Sequence, residues 1–455
     1  MRLDRRKAFV RTMTPRLKEG NDVPSNIGLE TFYPSNRDGI LAKAAIPWLD
    51  GKRKDDDIGG TESHLWRVHD SLYDLRDFIK SHPGGKDVIE STEGIDITEA
   101  FEASHPINPR KLNAILKKYF VRKIDRPRIS RYTFKDDGFY RTLKRKAEPI
   151  LKEVGTGPSL SITLLQDSLL FLFLSTMVLS GLTNSLLITI FSGIFLGMVF
   201  SLSHNFFHQK PTWRMYVWDL SLLSSRDWRI THAFSHHLYT STFYDVELAG
   251  WEPLAVFIPA TKKNLIHKTL APIYIPIIYA LVTVLEYIKK LALILSGVER
   301  LHIENLFPIA ELVIIWMVNG DAYSAIKSWI IIHICSSLWL ALLPQIGTHR
   351  HPELYHPGDL PNEATLKNDM DWGVYQLDTG YDVTGKSDNF IIKMTTFGDH
   401  RLHHLFPTVD HSKLCYLYPV VEETCKEFGV PFETKSAWDM FSGHFSVMWK
   451  TNPRN

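Results

Sequence analysis

Cysteine is scarce: Cys335, Cys415 and Cys425 are the only three in 455 residues. Their spacing matches no metal-binding pattern, and an odd number cannot pair completely. A disulfide scaffold is thereby excluded, and a reducing compartment is expected. A charge excess is also lacking. With 52 basic and 50 acidic residues the net charge is +2, which excludes a nucleic-acid binder driven by bulk positive charge and an acidic disordered tail. No apolar run follows the basic residues between Met1 and Arg16, so no secretory signal peptide is expected. The mean hydropathy of −0.10 hides a division, because the apolar residues concentrate after residue 158.

Five zones follow from this patterning. Residues 1–60 form a polar extension, expected to be partly disordered. Within it, Lys52-Arg53-Lys54-Asp55-Asp56-Asp57 reads as a solvated linker closed by Gly59-Gly60. Residues 61–125 alternate short mixed segments with turn signals and read as a compact soluble domain. Residues 126–157, with Arg128, Arg131, Lys144, Arg145 and Lys146, read as a basic linker. Residues 158–430 carry the apolar runs, and 431–455 read as a C-terminal tail. Leu160 to Leu182 holds one ionisable residue, Asp167, and Leu186 to Leu202 holds none. Each is near the ~20 residues a helix needs to cross a bilayer, and Thr183-Asn184-Ser185 joins them as a hairpin. Leu270 to Leu285, Leu306 to Val318 and Trp329 to Ile346 are further apolar runs.

Histidine is abundant, with 20 residues. In the soluble zone His82 opens the tight turn His82-Pro83-Gly84-Gly85, and His105 follows later. Two facing imidazoles can hold a haem iron from both sides. That leaves no open position, which suits electron transfer. Taken singly, each reads more readily as an ordinary surface histidine than as a ligand. The wider pattern of Trp66, Tyr73-Asp74, Phe78, His82-Pro83-Gly84-Gly85 and Gly94-x-Asp96-x-Thr98-x-x-Phe101-x-x-x-His105 resembles cytochrome b5. The resemblance implies an α+β domain binding haem b, with His82 and His105 as axial ligands.

Three clusters mark the apolar zone: His204-x-x-x-His208, His232-x-x-x-His236-His237 and His400-x-x-His403-His404. On a helix, residues i, i+3 and i+4 share a face, so each cluster can present two or three imidazoles in one direction. The first pattern alone is weak, whereas each triple is expected only about 0.04 times by chance. Eight histidines exceed one zinc site and suit two metals of higher coordination number. A haem domain delivers single electrons, which zinc cannot use and iron can. All three clusters must lie on the haem's side of the membrane. An even number of spans must therefore separate the second from the third, and three runs compete for two places.

These clusters, with Asp371-Trp372, Gln376-Leu377 and His403-His404-Leu405-Phe406-Pro407, resemble the membrane fatty acid desaturases. Together with the haem domain they resemble the cytochrome b5-fused branch, and most closely its insect-type, cytochrome b5-related members. The resemblance runs from about residue 62 to 420. It implies an all-α membrane domain with about four transmembrane helices and a cytosolic di-iron cap. Two non-haem irons would be held by His204, His208, His232, His236, His237, His400, His403 and His404. A further histidine after the last span completes the set; here that is His349, with His351 and His356 as runners-up. The implied activity desaturates a long acyl chain, as acyl-CoA or membrane lipid, with O2 and with electrons from cytochrome b5 reductase through the haem. The implied location is the endoplasmic reticulum membrane, with haem domain, clusters and C-terminus cytosolic. Lys144, Arg145, Lys146 and Lys152 before the first span, and Lys210 and Arg214 after the second, agree with that orientation.

One departure matters: His400 stands where front-end desaturases usually carry glutamine, so their regiospecificity is not implied. Asp371 and Asp399 are the expected holders of imidazole N–H groups, ahead of Asp245, Glu247 and Asp410. Phe206, Phe207, Phe234 and Trp251 are candidates to line an acyl tunnel. Two alternatives stay open: a lipid hydroxylase on the same scaffold, and a membrane-anchored electron carrier with an inactive second domain.

Overall fold

The computed structural model describes residues 41, 43–252, 254–259, 263, 265–344, 348–357, 359–385 and 388–454. The disorder expected at the start of the extension falls on residues 1–40 and 42, outside the described residues. The remainder of the extension is helical. Helix α1 (Ala45–Ile58) contains the charged run read as a solvated linker, and that reading is wrong. Lys52, Asp55 and Asp56 are buried. Lys52 Nζ lies 2.5 Å from Asp56 Oδ1, Asp56 accepts the Asp96 N–H at 2.8 Å, and Tyr244 OH donates to Asp55 at 2.6 Å. Charged residues can leave water when each is paired and hydrogen-bonded.

Strands β1 (Trp66–Val68) and β2 (Ser71–Tyr73) begin the soluble domain. Helices α2 (Lys86–Ser91), α3 (Thr98–Ser104) and α4 (Pro109–Lys117) follow, then β3 (Phe120–Lys123). The strands form one antiparallel sheet in the order β1-β2-β3, with Trp66 opposite Tyr73. Trp66 is fully buried beneath α2, donating to the Ile89 carbonyl at 3.1 Å. This is the small sheet with short helices expected of the haem domain. The zone read as a basic linker is also structured. Helix α5 (Phe139–Val154) buries Phe139, Tyr140, Leu143, Ala147 and Leu151, while Arg141 and Lys144 at the edge of that stripe pair with Glu102 of the soluble domain. An amphipathic helix with basic residues on one face reads as a charged bridge when only composition is considered.

Among the described residues four helices are long and apolar enough to cross a membrane, the architecture of a multi-pass membrane protein. They are α6 (Leu160–Thr183), α7 (Leu186–Ser203), α8 (Ala271–Leu295) and α10 (Ala322–Leu342), with α9 (Phe307–Asn319) between the last two. The competition among three apolar runs is resolved by length. At ~1.5 Å per residue, α9 rises only ~20 Å, short of the ~30 Å hydrocarbon core. It packs instead against α6 and α10. Asp167, the one ionisable residue of the first run, pairs with Arg214 at 2.7 Å.

Helices α7 and α10 approach closely where α7 presents Gly193 and Gly197. A Cβ at Gly197 would lie 2.5 Å from Trp339 Cβ, and one at Gly193 2.6 Å from the Ile332 carbonyl oxygen. Small residues four apart let helix backbones meet in this way. Gly197→Ala is therefore expected to destabilise the bundle by ~1–3 kcal/mol, seen as a lower thermal midpoint in detergent. An unchanged midpoint would mean that Trp339 yields without cost.

Helices α11 (Trp372–Asp378) and α12 (His400–Leu405) build the cap. Residues after 430 are no loose tail: α13 (Ala437–Ser446) buries Met440 and His444, and Arg454 pairs with Asp378 at 2.8 Å.

Candidate functional site

His204 follows directly on α7, and His208 lies one turn further. The second cluster sits on Thr231–His236, where the helix widens to a π turn and the His237 N–H donates to the His232 carbonyl at 2.9 Å. In that geometry both i+4 and i+5 lie near the face of i, and the His232 and His236 rings stack with centroids 5.3 Å apart. His400, His403 and His404 lie on α12.

Among the described residues, the ligand nitrogens of all nine histidines fall into two groups, each within 4.8 Å, and His232, His236 and Glu247 form a third set that bridges them. The first is His204, His208, His232, His237 and His403; the second is His236, His349, His400 and His404. Each triple presents two of its imidazoles to one group, as expected, and the third to the other: His232 and His237 against His236, and His400 and His404 against His403. The groups touch where His237 stacks on His404, ring centroids 4.0 Å apart. His351 and His356 lie outside both groups: His351 faces Tyr381 and Asp439, and His356 faces Asp359 and the Leu354 carbonyl.

Tautomers follow from the partners. His232 Nδ1–H donates to Glu247 (2.7 Å), His236 Nδ1–H to Asp245 (3.0 Å) and His349 Nδ1–H to the Thr379 carbonyl (2.8 Å). Gln376 donates its amide N–H to the His237 carbonyl, which turns its Oε1 to accept from His404 Nδ1 at 3.1 Å. The Nε2 atoms of these rings are left as bare lone pairs, yet they converge. His349 and His404 Nε2 are 3.2 Å apart, and His204 and His232 Nε2 2.5 Å apart. His208 Nε2 and His403 Nε2 are buried without a partner. Facing lone pairs repel unless a cation lies among them, so the donor set fits two imidazole-bound metals.

Burial holds His208, His232, His237, His403 and His404 far below the usual imidazole range, with neighbouring imidazoles adding to the effect, and His349 down to about 3. They are neutral, as ligation requires. His236 differs: burial opposes its charge, but Asp245 and Glu247 outweigh burial and raise it.

The carboxylates that hold imidazoles are thus Asp245 and Glu247. Asp371 spends its oxygens on the N–H groups of Tyr140, Gly373 and Val374, capping α11, which corrects its expected role. Asp399 takes Tyr418 OH at 2.9 Å and pairs with Lys393. Sequence reasoning missed His411, whose Nε2 lies 3.0 Å from His403 Nδ1, and the role of Gln376. Cluster spacing carries no signal for either. Asp245→Asn is expected to weaken metal retention in the second group by ~10–100-fold, read by chelator competition. Equal retention would show that the charge on Asp245 is irrelevant.

A small pocket lined by His236, Glu247, His349, Arg350 and His400 adjoins the second group. Glu247 and Arg350 also border a largely apolar cavity of about 490 Å³ that contains Trp251. Of the other aromatic tunnel candidates, Phe207 and Phe234 line a different cavity and Phe206 packs in the helical core.

That different cavity, about 520 Å³, holds His82 and His105 in its wall. Their ring centroids are 6.3 Å apart. Two metal–imidazole bonds of ~2.0–2.1 Å plus two ring radii give about 6–6.5 Å. Each Nδ1 faces a backbone carbonyl, Gly85 at 3.0 Å and Phe101 at 2.8 Å, leaving Nε2 free. Burial lowers both, His105 to about 4. The pair fits an axially ligated haem. His208 of the first metal group also lines this cavity.

A haem-type domain packed against a poly-histidine site, beside helices long and apolar enough to cross a membrane, is the combination of a membrane redox protein. The comparisons name its family. The Fatty acid desaturase pattern matches residues 182–436, and the Cytochrome b5-like Heme/Steroid binding domain matches residues 53–125. The chain belongs to the fatty acid desaturase family, with a fused cytochrome b5-like domain. It is 34% identical to the cytochrome b5-related protein of Drosophila melanogaster, over 88% of this chain and 90% of that protein. It is 24% identical to Delta(5) fatty acid desaturase A of Dictyostelium discoideum, over 92% and 96%, and 24% identical to the acyl-lipid (8-3)-desaturase of Physcomitrium patens, over 86% and 88%. No solved structure matches the chain. The family implies two irons and the fused domain implies haem.

Proposed function

We propose that the chain is an O2-dependent desaturase that introduces a double bond into a long acyl chain, using electrons received by its own haem b. The carrying observation is that nine histidines converge as two groups, one of which shares His208 with the haem cavity. His82 and His105 would hold the haem. The first and second histidine groups would each hold one iron. Bound there, two irons supply the O2-derived oxidant needed for unactivated methylenes, and haem supplies electrons singly.

The remaining work belongs to the protein. Glu247, Asp245, Gln376 and the Thr379 carbonyl lock four rings with Nε2 inward. The 490 Å³ cavity would take the acyl chain, exclude water and bring two adjacent carbons to the junction at Glu247 and Arg350. Arg350 stacks on Trp251 and Phe257 at 4.7 and 4.5 Å, which keeps its charge within the apolar wall. Acyl-CoA or acyl-lipid substrate, cytochrome b5 reductase as electron source, and an endoplasmic reticulum location with the cap cytosolic complete the reading.

Expression in yeast lacking its own desaturase tests it, with mass spectrometry of total acyl chains. A new species two mass units below a saturated or monounsaturated parent is expected. A gain of sixteen would establish the hydroxylase instead. No new species with both metal groups empty would establish the electron carrier.

A further inference from the structure

The cavity between the two domains has an unequal wall. The haem-domain side contributes His82, His105 and mainly apolar residues, with no lysine or arginine. The lysine and arginine of the wall, Lys210 and Arg229, both come from the desaturase domain. Arg229 is 6% exposed. Its Nη2 donates to the Gly84 carbonyl at 3.1 Å and to the Gln209 carbonyl at 3.0 Å. Among the described residues its Nε and Nη1 have no hydrogen-bond partner, nor has the buried Gln209 Nε2. Asp87 acts on Arg229 only across space, and no ion pair forms among the described residues.

A buried guanidinium without a counter-ion is costly, and so is each unused donor. The missing partner should be an anion, and a planar carboxylate matches the guanidinium fork. Haem b carries two carboxylates, its propionates. Gly84 belongs to the same turn as His82, so the guanidinium is fastened to the loop that would carry a haem ligand.

We propose that Arg229, with Gln209 beside it, binds a haem propionate, so that the desaturase domain supplies part of the haem site. The inference rests on the haem reading of His82 and His105. Its consequence is that haem becomes part of the interface between domains. Haem retention is then coupled to docking, against a wall that also carries His208.

The test uses the full chain reconstituted with haem b or with haem dimethyl ester, whose propionates carry no charge. Transfer of each to excess apomyoglobin is followed by absorbance. In the wild type the ester is expected to leave about tenfold or more faster than haem b. R229M should lose haem b faster by a similar factor and shrink the difference between the two haems. R229K, which keeps the charge, should restore most of the retention. The haem midpoint potential should fall in R229M, because removing a nearby cation favours the ferric form. Equal acceleration of both haems in R229M, or no change in either, would overturn the proposal, the first showing a merely structural role. A wild type that takes up no haem would overturn the haem reading itself, a result recognised by the absent Soret band.

Discussion

His403→Ala is expected to abolish product and to lower non-haem iron from about two per chain towards one. His403 contributes a buried, otherwise unpartnered Nε2 to the first group and is held from behind by His411. Its loss leaves four ligands facing a void and releases His411. His236→Ala should do the same from the second group, since it removes the ring that Asp245 makes most basic. His351→Ala and His356→Ala serve as contrasts and should keep full iron content, because both rings point elsewhere. Iron lost in His351→Ala but kept in His349→Ala would show that the second group is wrongly composed.

His105→Ala is expected to abolish the low-spin haem spectrum while leaving the protein in the membrane. His105 follows the end of α3, and its main attachment is one hydrogen bond to the Phe101 carbonyl, so the helix loses little. The iron loses one of two axial bonds, and low-spin six-coordinate haem requires both. His82→Ala should match it. Product should fall to background in both variants with non-haem iron intact, which separates electron supply from metal binding. A normal dithionite-reduced spectrum in either variant would remove these residues from the haem site.

The two triple clusters were legible because their spacing departs far from chance, whereas His349 and the haem pair were legible only through the family resemblance. The four spanning helices were legible as apolar runs, although helix length was needed to set Phe307–Asn319 aside. Burial was not legible where charge concealed it. Lys52 to Asp57 has the composition of a solvated segment, yet it is buried by partners that come from residues as distant as Asp96 and Tyr244. The division of the clusters was also hidden, because spacing along one segment does not say which histidines of other elements each ring meets. The supporting shell was only half visible. Asp245 and Glu247 follow the second cluster closely, but Gln376 and His411 meet the site through tertiary packing. Asp371 misled because an aspartate before a helix caps it as readily as it holds an imidazole.

The central claim is that one chain carries a haem and two further irons in the two histidine groups. The most direct measurement is the metal content of the purified full-length protein, by mass spectrometry of total iron and zinc against protein and haem. The expected result is about three irons per chain, one of them in haem, with little zinc. One iron per chain, all of it haem, or zinc in place of the non-haem iron, would contradict the account.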